Sequence, residues 1–413
     1  MPDDYRIHRD RSALASGSIF GRQKRRSFWK FGAVAILVVL LVLALNFNAL
    51  RPQVLAVVKQ FSVTPTPTAN DFFRRADTAF SMFGDLDAAI TNYREAAKQL
   101  PTNVDIVYEL ARMLLYRSYD NSQSDADILE AEKWTEPLIT ANPTNARAYS
   151  INCFTLVTLQ KVNEAVNSCQ KAVQLDPNEV DAHAYLSMAY LERDNPEDAY
   201  REAQLAVNGQ YPTLDAYTAY AQVLAYAGKY KDALDYYDKA TTINKHLKFP
   251  YFNKGYLAYS IAITKGDNAS YLTAIDAYNA VLSMDRKNVK AYVRLCQMYL
   301  ASGETNLARD NCATASETDN TYTPAWRWLG EVEYRTTDYA SAIASFGKCA
   351  DIEQGLPADK RQPECWVFRG LAQYQLNKDC SKALPLFYDV LTWTHDSRAI
   401  RLSNQGISLC QGH

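Results

Sequence analysis

An all-α fold, a stack of helical hairpins preceded by one membrane-spanning helix, is the class that this sequence predicts. Three observations predict it. Residues 31–50 carry no formal charge and centre on AVAILVVLLVLAL. An alanine then recurs along the rest of the chain as Ala89, Ala131, Ala165, Ala199, Ala233, Ala274, Ala308, Ala342 and Ala383, at gaps of 42, 34, 34, 34, 41, 34, 34 and 41 residues. Finally, 413 residues contain only 15 Gly and 15 Pro, with 48% hydrophobic and 22% charged side chains, which excludes collagen-like and disordered chains and argues against a turn-rich β-sandwich.

The chain opens with a basic tail, residues 1–30. It holds eight Lys or Arg (Arg6, Arg9, Arg11, Arg22, Lys24, Arg25, Arg26, Lys30) against three Asp, a balance of +5. The remainder therefore carries −7, which leaves no domain-wide basic surface and predicts no nucleic-acid partner. Twenty uncharged residues make about 30 Å of helix, the thickness of a bilayer's hydrocarbon core. Phe28 and Trp29 stand at the leading edge, and the run Arg22-Gln23-Lys24-Arg25-Arg26 precedes it, while only Arg51 and Lys59 follow closely. The positive-inside rule then puts the N-terminus in the cytoplasm and the rest outside it, in a single-pass cell-membrane protein. A cleaved signal peptide is the competing reading. The long charged region, the over-length apolar run and the poor cleavage site at Phe47-Asn48-Ala49 speak for an uncleaved anchor. Residues 51–69 end in Ser62-Val63-Thr64-Pro65-Thr66-Pro67-Thr68, an extended spacer of polyproline character.

From residue 70 each unit reads as two amphipathic helices and a turn. In Ala216 to Ala240, Gly228-Lys229-Tyr230 is the turn, and Ala233 and Ala240 permit close approach of the second helix. Pro101, Pro143 and Pro177 end units and prepare the next N-cap. The pattern of a large residue, Leu, a small residue and Tyr, followed by Ala, an aromatic and Ala, appears in Trp326-Leu329-Gly330 with Ala342-Phe346. It appears again in Tyr292-Leu295-Cys296-Tyr299 with Ala308-Cys312-Ala315. On these residues the chain resembles the tetratricopeptide repeat family, with nine units over 70–393 in phase and a polar-faced capping helix over 394–413. The resemblance implies a right-handed helical solenoid. Insertions fall near Arg117–Ile128, Lys265–Tyr271 and Asp351–Glu364, where each is expected to lengthen a loop, as tolerated surface length or as a binding element. Asn268-Ala269-Ser270 in the second is a glycosylation sequon.

The eight cysteines lie in the segment expected to face an oxidising compartment. Cys153/Cys169, Cys296/Cys312 and Cys349/Cys365 are each 16 residues apart, and the first two pairs occupy matching columns that face each other across a hairpin. Cys349/Cys365 would brace one unit against the next, and Cys380/Cys410 would tie the last hairpin to the cap. Free core thiols are the alternative. No C-x-x-C occurs and the five His are scattered, so no metal site and no cofactor are expected.

The sequence contains no Gly-rich phosphate loop, no G-x-S-x-G and no H-E-x-x-H, and the expected role is not enzymatic, with no small-molecule substrate. His183 falls in a large-residue column and reads as packing. The family resemblance implies a concave groove lined by the first helix of each pair. The inward columns there hold Tyr108, Arg112, Tyr116, Gln222, Tyr226, Phe252, Tyr256, Tyr259, Arg327, Tyr334, Arg335 and Tyr374. Tyr and Arg anchor interfaces well, although tyrosines also fill the packing between repeats. Some family members grip a C-terminal carboxylate with five Lys, Asn and Arg side chains. Asn253, Lys290 and Arg294 stand at three of those places, while Thr218 and Gln222 replace a Lys and an Asn. The expected function is a membrane-anchored scaffold that binds proteins or peptides for an envelope complex. The alternative is a receptor-like chain coupling an external sensor to the cytoplasm.

Overall fold

The computed structural model describes residues 35–39, 66–120 and 124–412. Residues 35–39 are helical, and no described helix is long and apolar enough to cross a membrane. The basic tail, most of the expected anchor and the spacer up to residue 65 lie outside the described residues.

Nineteen α-helices follow among the described residues of the unit from Pro67 onward, as nine antiparallel pairs and a final single helix. The first pairs are α1 (Ala69–Phe83) with α2 (Leu86–Gln99), α3 (Val104–Asp120) with α4 (Ser124–Ala141), and α5 (Ala146–Thr158) with α6 (Val162–Leu175). Next come α7 (Val180–Glu192) with α8 (Pro196–Val207), α9 (Leu214–Tyr226) with α10 (Tyr230–Ile243), and α11 (Phe249–Lys265) with α12 (Asn268–Met284). The stack ends with α13 (Val289–Ser302) and α14 (Thr305–Thr318), α15 (Thr323–Arg335) and α16 (Tyr339–Glu353), α17 (Glu364–Asn377) and α18 (Cys380–Trp393), and the cap α19 (Ser397–Gln411).

The alanine column explains the pairing. All nine of its members are 0% exposed, each on the second helix of a pair, where a larger side chain would hold the helices apart. The glycine column opposite works the same way: a Cβ on Gly255, Gly330 or Gly370 would stand 2.7–2.9 Å from the ring of Tyr278, Phe346 or Phe387. Side-chain caps fix where helices begin, with Asp85, Asn145, Asn195, Thr213, Asn288, Asp338 and Asp396 each accepting from a first-turn amide.

Two of the three insertions do not lengthen loops. The extra eight or seven residues amount to about two helical turns, and each helix of the pair takes about one. As a result α3, α4, α11 and α12 run to 17 or 18 residues, and the hairpins stay in register. The third insertion is a loop with a 3₁₀ turn at Ala358–Lys360, because Pro357 and Pro363 bracket it and cannot continue a helix. The cysteines form four disulfides, Cys153–Cys169, Cys296–Cys312, Cys349–Cys365 and Cys380–Cys410, with Cα separations of 5.3–5.9 Å.

The solenoid coils until it meets itself. Phe249, at the start of α11, stacks on Tyr116 of α3 with ring centroids 5.3 Å apart and packs 4.5 Å from Tyr119. Asn244 donates to the Phe80 carbonyl at 3.1 Å, and a Cβ on Gly84 would collide with His246 at 2.4 Å. Lys290 of α13 donates to the Ser118 and Tyr119 carbonyls at 3.1 and 3.3 Å. The sixth unit and the start of the seventh thus close a turn of superhelix against the first two.

Eight hairpin turns contain one left-handed residue each: Gly84, Gln160, Asp194, Gly228, Gly266, Gly303, Thr337 and Lys378. Thr337, β-branched at φ 62°, is the most strained of them. Thr337→Gly is expected to raise stability by about 0.5–1 kcal/mol, read from denaturant unfolding. Joint replacement Cys153→Ser and Cys169→Ser, which opens the 16-residue loop, is expected to lower it by about 3 kcal/mol, and reductant should abolish the difference from wild type at that bridge.

Candidate functional site: the concave face

The first helices of the pairs face inward, but the first superhelical turn leaves no continuous groove. Its interior is filled by a polar cluster on α3, α7 and α9. Tyr108 donates to Asp181 at 2.5 Å, and Asp215 accepts from Tyr116 at 2.6 Å and from Tyr185 at 2.8 Å. Thr213 donates to the other Asp181 oxygen at 2.6 Å. The Arg112 guanidinium lies over the rings of Tyr108 and Tyr116, bonds Glu109 at 2.5 Å and stands 4.0 Å from Asp181. Arg147 adds a cation 4.3 Å above the Tyr108 ring. Phe154 stacks on Tyr185, and Phe249 closes the cluster from the far side of the coil.

Burial pushes the Asp215 carboxyl up to about 7, with repulsion from Asp181 adding to the rise and Arg112, Tyr116 and Tyr185 opposing it. Desolvation likewise holds the phenols of Tyr108, Tyr116 and Tyr185 well above the usual range. These are signs of a closed interior.

The groove residues predicted from the sequence divide accordingly. Tyr108, Tyr116, Phe252 and Tyr374 are buried packing residues, not groove surface: the first two serve the polar cluster, Phe252 packs on Tyr278, and Tyr374 lies in the core of the last units. Arg112 is engaged as described. Tyr226 and Tyr256 are exposed at 56% and 59%, and the Tyr226 hydroxyl donates to Asp194 at 2.6 Å. Gln222 and Tyr259 are half-buried, the latter beside Tyr271. Arg327 pairs with Glu364 at 3.2 Å over the Trp328 ring, Tyr334 sits between Tyr339 and Phe368, and Arg335 pairs with Glu331. The carboxylate grip is not assembled. Lys290 is engaged with the α3 carbonyls, Arg294 donates to Gln297 on its own helix at 3.0 Å, and the Asn253 amide nitrogen is buried without a hydrogen bond among the described residues.

His183 is a packing residue. Burial lowers its pKa, but the Glu202 carboxylate at 2.7 Å and the Pro177 carbonyl at 2.9 Å outweigh that and raise it. Cys349, Glu353 and Cys365 come together as a metal site's ligands would, yet both sulfurs belong to one disulfide and are closed to a metal.

Two of the concavities among the described residues border the closed coil. A cleft of about 970 Å³ opens where the turns at Gly84, His246 and Asn288 meet, and its charges largely neutralise one another: Arg117 pairs with Asp87 and Asp127, and Lys248 with Asp285. A cavity of about 660 Å³ lies on the concave face at the ends of α3, α5, α7 and α9, bounded by Lys290. Sequence reasoning missed Asp181 and Asp215. The signal was an acidic residue at one column of two successive units, 34 residues apart.

Comparison with known proteins agrees with this geometry. Residues 214–246 match the family described as Tetratricopeptide repeat. A stretch of 62 residues is 36% identical to the DnaJ homolog subfamily C member 7 homolog of Dictyostelium discoideum, covering 15% of this chain and only 12% of that protein. The human IFIT1 dimer with m7Gppp-AAAA superposes at a TM-score of 0.52 with 17% identity, over 85% of this chain and 87% of that one. A monomeric IFIT1 mutant with Gppp-AAAA gives 0.56 at 15% identity, over 82% and 79%. The fold is therefore a tetratricopeptide-type helical solenoid. The matched repeat and the nine hairpins together support a tetratricopeptide repeat protein.

Because the folded-state pKa of Asp215 lies above its unfolded value, the stability it contributes is present at low pH and lost as pH rises through about 7. Asp215→Asn cannot ionise. Calorimetry between about pH 5 and pH 8 should show a steeper fall in Tm for wild type than for this variant, and equal slopes would place the titration elsewhere.

Proposed function

We propose that this chain is a scaffold that recognises other proteins, held at a membrane by residues 31–50, with its solenoid on the extracytoplasmic side as part of an envelope assembly. Recognition, not catalysis, is the proposed chemistry. The observation that carries this reading is the unequal use of the concave face. The first superhelical turn is filled by its own side chains, so the solenoid presents a stiff, preformed body whose remaining exposed aromatic side chains and cavity are available to a partner. A preformed surface loses little conformational entropy on binding. Tyr226 and Tyr256 have the amphipathic character that interface anchors need.

Four disulfides support the extracytoplasmic placement, because such bridges persist in oxidising compartments. Tethering supports an assembly role, since it raises the solenoid's effective concentration toward membrane-bound partners. The nucleotide ligands named for the IFIT1 structures are not carried over: the identity is 15–17%, and residues 31–413 bear a net negative charge that repels a phosphate backbone.

Mild crosslinking in the native host, followed by detergent purification of the tagged full-length chain, tests the reading. The expected outcome is a discrete set of envelope proteins recovered with it. Recovery of the chain alone, or with abundant background only, would count against a scaffold.

A further inference from the structure

The 660 Å³ cavity on the concave face has a chemistry of its own. Four helices end at it: α3 at Ser118 and Tyr119, α5 at Thr158, α7 at Leu191 and Glu192, and α9 at Tyr226. Helix C-termini concentrate partial negative charge on their last carbonyls. Basic residues usually offset that charge, yet α5, α7 and α9 have none in their last turns. The cations just beyond those ends face other partners. Lys161 pairs with Glu132 at 2.6 Å, Arg193 lies over the Tyr190 ring at 5.1 Å, and Lys229 lies over the Tyr200 ring at 5.6 Å. Glu192 adds a full negative charge at the rim and has no ion-pair partner among the described residues.

The chain itself shows what this rim accepts. Lys290, arriving from α13, sets its ammonium on the carbonyls that end α3, at 3.1 and 3.3 Å. Beside that place the walls are apolar, formed by Val157, Met188 and Leu191. The last-turn carbonyls of α5, α7 and α9 accept from the backbone amides that follow them, but these ends have no cation of their own, and an apolar shaft leading to them and to a carboxylate fits a side chain with a hydrocarbon stem and a cationic head.

Resting on the protein-binding reading above, we propose that this cavity is the subsite for a lysine side chain of a partner polypeptide, its stem against Val157, Met188 and Leu191 and its ammonium toward Glu192 and the ends of α5, α7 and α9. The partner segment is therefore basic at this position, opposite in charge to the peptide termini that a carboxylate grip would take.

The test uses the full-length chain and three acetylated, amidated peptides that differ only at a central residue: lysine, norleucine or glutamate. Fluorescence anisotropy should rank lysine first, with norleucine weaker by roughly fivefold, the measure of a partly exposed ion pair, and glutamate weaker still. Glu192→Gln should narrow the gap between lysine and norleucine, and Glu192→Lys should reverse it. Glu192 is exposed, so both variants should melt with wild type. Equal binding of lysine and glutamate peptides, no binding of the lysine peptide, or a lysine preference untouched by Glu192→Lys would overturn the proposal. Envelope proteins recovered by crosslinking would survive that result, which separates failure of this subsite from failure of the scaffold reading.

Discussion

The contact between Phe249 and Tyr116 decides what kind of solenoid this is. A stack of hairpins held only by nearest neighbours is an open spring whose pitch can drift. Here the first helix of the sixth unit lands on the first helix of the second, and Lys290 adds a cation to the end of that same helix. A contact across so long a stretch of chain fixes the accumulated twist of every unit between. The alanine and glycine columns set how closely each pair packs, and the closure requires that spacing to be held through all the intervening hairpins.

Closure also explains the polar interior. Two aspartates, four tyrosines or phenylalanines and an arginine occupy the axis of the coil, where an open solenoid would have solvent. Buried groups of this kind demand partners, and each tyrosine hydroxyl finds a carboxylate. The unbalanced part is Asp215, with one oxygen lacking a hydrogen bond among the described residues and a proton affinity shifted to near neutrality. A hydrophobic axis would fit as tightly. A polar one fixes direction, because Asp181 and Asp215 accept from particular hydroxyls on particular helices.

The local architecture was legible in the sequence for a physical reason: its signals repeat. An alanine that must be small nine times over is visible as periodicity, and the same holds for the cysteines at matched columns. What stayed hidden is non-repeating. The Asn244–Phe80 hydrogen bond joins residues 164 positions apart, and no local pattern announces that the coil will have turned far enough to make it. Tyr108 and Tyr116 read as groove residues because a single unit cannot reveal what faces it across the axis. The insertions misled for a related reason. Seven or eight residues suit a loop as well as two helical turns, and the prolines at 357 and 363 were the cue that only the third would stay irregular. For the cavity, the sequence points to Gln222, Tyr226 and Lys290 but not to Glu192 or to the helix ends without a cation, since the missing cations become visible only once Lys161, Arg193 and Lys229 are seen facing elsewhere.

The placement of the disulfides gives the stack an uneven response to force. Cys153–Cys169 and Cys296–Cys312 each close within one hairpin, Cys349–Cys365 joins one hairpin to the next, and Cys380–Cys410 binds the cap. Tension between the two ends of the solenoid runs through each bridge and bypasses the residues it encloses. In the last three hairpins and the cap, which hold three of the four bridges, residues 297–311, 350–364 and 381–409 cannot be drawn out, while residues 313–348 and 366–379 still can. The first six, with one bridge among them, have only their mutual packing and the closed coil to resist. A pull on the N-terminal end of the solenoid meets the part with one bridge first, and slack would be released from the part of the molecule that holds the buried aspartates.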